Sequence, residues 1–190
     1  FGTTYIIDVD VQALTAELDI LYDGDDDPTR ALRSPDNLDW ADNGLIYIQE
    51  DEAEEDSLTG EPLFGPGAAN PNEAGMVSID PVTGDLVRIY NIDRSVVQDR
   101  SIANKNGAVD VDEGDAGEWE TSGILDVSSL FHRKPGTLFL LDVQAHGIED
   151  QDEFNPTSRI VDGDLVEGGQ LVVLKATGNT KVKKTKRSKK

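Results

Sequence analysis

The chain has 190 residues, 37% of them hydrophobic, with 38 acidic residues against 17 Lys plus Arg and no cysteine. Apart from the seven basic residues between Lys181 and Lys190, the body carries 38 acids against 10 bases, which argues against nucleic-acid binding and favours divalent cations as partners. The absence of cysteine excludes disulfides and thiolate metal sites, and no apolar run approaches the ~18 residues of a membrane span.

The length suits one domain or part of a larger one. The chain opens on Phe1 rather than Met, the start expected of a processed or truncated product. With the acid excess, this points to a secreted, periplasmic or cell-surface setting.

In chain order, Thr4–Val9 and Leu18–Tyr22 read as strands, with a short helical turn expected over Val11–Glu17 between them. Asp23-Gly24-Asp25-Asp26-Asp27 then puts several carboxylates on a turn, as a hard cation with six to eight oxygen ligands requires, or as a solvated acidic loop does. The segment from Arg33 to Asp51 is the most informative. Ser34-Pro35-Asp36-Asn37 reads as a turn, because Pro fixes φ and Asp and Asn bond their own backbone. Asn43-Gly44 is a hairpin signal, Leu45–Gln49 an apolar strand, and Glu50 and Asp51 follow at its end. Carboxylates at a strand end beside a ligand-rich loop suit a metal-lined site, and equally a hairpin with solvated ends.

Asp51–Asn72 is acidic and then rich in Gly, Pro and Asn, a long surface loop or lid. Gly75–Ile79 and Asp85–Tyr90 flank Asp80-Pro81-Val82-Thr83-Gly84, a strand–turn–strand hairpin. Ser101–Gly117 reads as a second long loop. Its acidic run does not fit an EF-hand: counting from Asp110, the sixth position is Asp115 rather than Gly and the twelfth is Thr121 rather than Glu. Trp119 beside Glu120 suggests a carboxylate held in a partly dry place, as a metal ligand or general base, or a Trp anchoring a loop with the Glu exposed.

A short helical turn is expected over Ile124–Phe131, and His132 reads as a surface residue. Gly136–Val143 is a strongly apolar strand that ends near His146, which suits a substrate or metal contact or a hydrogen bond at the rim. Gln170–Leu174 is the last strand. No Gly-x-Ser-x-Gly elbow or phosphate-cradling Gly-rich loop is present.

Short strands at hairpin spacing imply an all-β protein, a sandwich, barrel or propeller. A propeller blade takes about 40–50 residues, so the chain would make several four-stranded blades of a β-propeller, part of a larger one. Residues 1–176 form that portion, and 177–190 read as a basic, disordered tail.

Ser-Pro-Asp-Asn-Leu-Asp-Trp with Asn-Gly-Leu-Ile-Tyr-Ile-Gln-Glu-Asp, then Trp-Glu-Thr-Ser-Gly-Ile-Leu-Asp-Val, Leu-Asp-Val-Gln-Ala-His-Gly-Ile and Val-Glu-Gly-Gly-Gln-Leu-Val-Val-Leu, occur in that order. Together they resemble the C-terminal half of the PhoX-type alkaline phosphatases and related phytase- or esterase-like extracellular propellers, over roughly residues 1–175. The resemblance implies hydrolysis of a small phosphate ester with calcium, and with iron held by ligands upstream of Phe1. It implies Asp36 as a calcium ligand. Where the family has Asn three residues before that Asp, this chain has Arg33, whose fork suits bidentate phosphate binding.

The candidate catalytic residues are therefore Arg33, Glu120 and His146, and the candidate metal ligands Asp36, Glu50 and Asp51. Glu50, Asp51, Glu120 and His146 rest on their strand-end positions alone. The expected partners are a phosphate ester and the remainder of the parent propeller, with no nucleic acid and no membrane span. The alternatives are a non-catalytic, calcium-stabilised propeller serving as a binding or structural module, and an esterase-like propeller without iron.

Overall fold

A computed structural model describes residues 2–30, 32–52, 59–60, 62–65, 67–94, 108–110, 119–150 and 165–177, with the side chains of 108–110, 146–150 and 165–168 left aside. The described chain is all-β, in three antiparallel sheets. The first is a hairpin of β1 (Thr3–Asp10) and β2 (Thr15–Asp23). The middle sheet runs β3 (Pro35–Trp40), β4 (Ile46–Glu50), β5 (Gly75–Ile79) and β6 (Leu86–Asn91) as a simple meander. In the third, β9 (Leu138–Asp150) pairs along one edge with β10 (Leu165–Lys175) and along the other with β8 (Trp119–Asp126) and the short β7 (Ala108–Asp110).

The middle sheet holds the core because both of its faces are covered. Ile46, Ile48, Val77, Ile79 and Leu86 lie on one face, with Leu32, Leu21 and Tyr22 packed against them. Tyr47 and Met76 lie on the other, against Phe139 and Leu141 of β9. Tyr47 and Phe139 meet ring to ring at 4.5 Å and 56°, a favoured tilted geometry. All five residues of β4 and of β5 are accordingly buried. At roughly 1.5–3 kcal/mol for each fully buried large apolar side chain, these two clusters supply most of the cohesion.

The turns follow their residues. Gly44 adopts φ +87, and Asn43 Oδ1 accepts the Leu45 N–H at 3.0 Å, which closes the β3–β4 hairpin. Between β5 and β6, Asp80 Oδ1 accepts the Val82 N–H at 2.8 Å, and Gly84 at φ +74 donates to the Asp80 carbonyl at 2.8 Å.

Several expectations need correction. Val11–Glu17 is no helical turn: residues 11–14 make the β1–β2 connection and Thr15 opens β2. Asp10 Oδ1 accepts the N–H groups of Gln12 and Ala13, both at 2.9 Å, and stabilises a turn that contains no glycine. Ile124–Asp126 belongs to β8, and only Ser129–Phe131 forms a single 3-10 turn. The turn expected at Pro35-Asp36-Asn37 is the start of β3. The register shifts between Pro35 and Leu38, and such a bulge accommodates turn-forming residues inside a strand. Of the second long loop, Ala108–Asp110 forms β7, while 101–107 and 111–117 lie outside the described residues, as does the tail from 178 onward.

Candidate functional site

The polar residues of the middle sheet collect at one end, where β4 finishes and β5 begins. Glu50, the last residue of β4, is 1% exposed. Its carboxylate receives a two-pronged grip from Arg88 of β6, Nη1 to Oε2 at 2.5 Å and Nη2 to Oε1 at 2.9 Å. Oε1 also accepts the backbone N–H of Arg33 at 3.0 Å. Such a bidentate pair is among the stronger charge-assisted contacts.

Arg88 Nη1 continues to Asn91 Oδ1 at 3.0 Å, and Asn91 Nδ2 to Asn72 Oδ1 at 3.0 Å. Asn72 in turn donates to the fully buried Asn70. Beside this network, the buried Arg94 pairs with Glu73 at 3.5 Å. Gly75 completes the close packing: a Cβ there would lie 2.0 Å from the Tyr90 carbonyl oxygen.

Arg33 behaves differently from its neighbours. It is 1% exposed, and its guanidinium lies 5.3 Å from the centre of the Phe64 ring. Its Nε, Nη1 and Nη2 have no hydrogen-bond partner among the described residues. Burial pushes its pKa below the usual guanidinium range, opposed chiefly by the field of Glu50 and then of Glu73. A buried guanidinium that uses none of its five donors is costly, and its planar fork matches a phosphate or carboxylate.

The sequence-derived candidates thus divide. Arg33 and Glu50 are joined directly, and Asp51, whose N–H donates to the Ser34 carbonyl at 3.0 Å, adds its field to Arg33. Asp36 sits in the β3 bulge, exposed, and its carboxylate accepts from the Asn37 side chain. Asn37 and Gln49 fasten β3 and β4 to β8 through Ser122, at 3.2 and 3.4 Å.

Glu120 is buried on β8, opposite Gln144 of β9. Next to it, Thr121 Oγ1 accepts from the Tyr90 hydroxyl at 2.8 Å; burial pushes the Tyr90 pKa up and this bond opposes the shift. His146 falls on β9, but its side chain lies outside the described residues.

Among the described residues, no three His, Asp or Glu side chains are grouped to hold a metal ion. Glu50 is held by three N–H donors, a set that suits an arginine partner rather than a calcium ligand. In the acidic run at Asp23–Asp27, Gly24–Asp26 form a 3-10 turn in which Asp23 Oδ1 accepts the Asp25 N–H at 3.1 Å. Of the second run only Asp110 is described.

Sequence reasoning missed Arg88, Arg94, Asn91 and Phe64. The one available signal was Arg88, a cation interrupting the apolar strand Leu86-Val87-Arg88-Ile89-Tyr90. No family model, curated protein or solved structure matches the chain.

Proposed function

We propose that the chain is part of a secreted, calcium-dependent, phosphatase-like β-propeller acting on phosphate monoesters, with Arg33 holding the phosphate of the ester. The observation that supports this reading is the Arg33 guanidinium, buried with all three nitrogens unpartnered among the described residues. An oxyanion received by that fork forms charge-assisted bonds of the kind Glu50 already gives Arg88. In this reading Arg33 binds and orients the ester, and the Phe64 ring excludes water from one side of the guanidinium. Asp36, exposed in the β3 bulge, is the carboxylate that would contact calcium in this reading.

The second reading is a non-catalytic, calcium-stabilised module. It is favoured by the Glu50–Arg88 pair, which locks a strand-end carboxylate into the fold instead of leaving it to a ligand or substrate.

Two measurements separate these readings, one on the parent propeller that carries this chain and one on the chain itself. Under the first, the parent hydrolyses p-nitrophenyl phosphate in the presence of calcium and iron, and inorganic phosphate raises the melting temperature of the wild-type chain but not of Arg33→Met. A phosphate shift without hydrolysis leaves an anion-binding module. No shift in either protein overturns Arg33 as a phosphate ligand, and a melting temperature raised by calcium alone selects the second reading.

A further inference from the structure

We propose that the Arg33 fork takes a phosphate in singly charged form, as the hydrogen form of a monoester or as a diester, and rejects the dianion. This rests on the reading of Arg33 as the phosphate ligand in the preceding proposal and adds the charge state that the site accepts.

The starting point is how the charges around the fork are already paired. The Arg33 side chain is almost wholly buried, 5.3 Å from the centre of the Phe64 ring, and its Nε, Nη1 and Nη2 have no hydrogen-bond partner among the described residues. Two other arginines lie in the same region, and each holds a carboxylate. Arg88 of β6 grips both oxygens of Glu50, and Arg94 pairs with Glu73 at 3.5 Å. Glu50 Oε1 also accepts the Arg33 backbone N–H at 3.0 Å, which fixes this acid against the residue that carries the fork. Asp51 is tied down next to it, through its N–H to the Ser34 carbonyl at 3.0 Å, and its Oδ1 accepts the Glu52 N–H at 2.6 Å.

The charged groups whose fields reach the Arg33 side chain are Glu50, Glu73, Arg88 and Asp51, and three of these four are acids. With Arg94 and Arg33 itself included, three arginines face three carboxylates, so the setting of the fork has no surplus of positive charge. One negative charge on a ligand is balanced by Arg33. A second finds no free cation among these groups and is repelled by the carboxylates, in a buried place where such repulsion is little screened. The cost of drying an ion also rises steeply with its charge. A bidentate grip needs only two phosphate oxygens. The remaining oxygens are then free to carry a proton or a second ester carbon, and the chemistry shared by the two ligands is the phosphate monoanion.

Isothermal titration calorimetry of the full chain with methyl phosphate and with dimethyl phosphate, at about pH 5 and about pH 7.5, tests this across the second ionisation of a monoester near pH 6. Calcium is left out of the buffer, so that side chains alone set the field. Dimethyl phosphate keeps one charge throughout, and the ratio of the two affinities therefore cancels any titration of the protein. The affinity for methyl phosphate relative to dimethyl phosphate is expected to fall about 30-fold over that step. Arg33→Met is expected to bind neither. The tighter binder at the lower pH, where both ligands are mainly monoanions, tells the monoester source from the diester. A ratio that stays level or rises with pH overturns the charge selection and leaves Arg33 as a phosphate ligand. No binding of either ligand, or binding that Arg33→Met retains, overturns the reading of Arg33 itself and this inference with it.

Discussion

The end of the middle sheet around Glu50 and the β1–β2 hairpin invert the usual placement of residues. At the first, a carboxylate and two arginines, Arg33 and Arg94, are almost wholly buried. At the second, Tyr5, Ile7, Val9, Leu18 and Ile20 stand more than half exposed. Burial of charge is tolerated where bonds compensate it, as three N–H donors do for Glu50. Exposure of apolar surface is informative where it is contiguous, as along one face of the hairpin. The Arg33 fork has no hydrogen-bond partner among the described residues, and the apolar face of the hairpin is exposed.

The largest expected effect breaks the compensated region. Arg88→Met leaves the Glu50 carboxylate buried with only the Arg33 backbone N–H, and should cost about 3–5 kcal/mol in denaturant unfolding. A cost under ~1 kcal/mol would mean that water reaches Glu50 and that the region is not sealed. Gly75→Ala comes next. Its Cβ would lie 2.0 Å from the Tyr90 carbonyl oxygen, so β5 and β6 must separate, at about 1–3 kcal/mol.

Arg33→Met sharpens the contrast within the same region. No guanidinium hydrogen bond is lost, since none is made among the described residues. Stability should therefore stay within about 1 kcal/mol of wild type or rise. A loss as large as that of Arg88→Met would show that Arg33 is a structural cation held by the fields of Glu50 and Glu73.

The two regions also differ in how far the sequence disclosed them. Strands β1, β2, β4, β5, β6, β9 and β10 were legible because apolar runs of β-formers lie between Gly, Pro and Asp clusters. β3 was not, because Pro35-Asp36-Asn37 carries turn chemistry, and β4 imposes the strand on it through a bulge. β8 was hidden by Thr121-Ser122-Gly123, residues that form a strand only because β9 supplies the ladder. Arg33 and Glu50 were singled out, but the bond between them and the Arg88 grip depend on the pairing of β5 with β6, which no local pattern encodes. The exposed face of the hairpin was invisible for the same reason. Alternation shows that a strand has two faces, and only packing shows which of them is covered.

The hairpin should respond to smaller perturbations. Leu14 holds φ +55 and is 89% exposed. A left-handed residue with a Cβ costs roughly 1–2 kcal/mol unless its side chain bonds locally. Leu14→Asn should therefore slow amide exchange in β1 and β2 and stabilise the hairpin by about 0.5–1 kcal/mol.

The smallest expected effect is a pH dependence confined to the same turn. Asp10 is held below its ordinary carboxylate pKa, first by the Ala13 N–H and then by that of Gln12. A carboxylate with a depressed folded-state pKa contributes stability above its unfolded pKa and loses it as pH falls through the folded value. Amide exchange at Gln12 and Ala13 should therefore accelerate as pH drops below about 4, relative to the intrinsic rate at each pH. Exchange in the buried β4 should not change over that step. Asp10→Asn, whose amide oxygen still accepts both bonds, should abolish the pH dependence while keeping the turn. A variant that retained the dependence would place the titrating group elsewhere and remove Asp10 as the residue that makes a glycine-free turn possible.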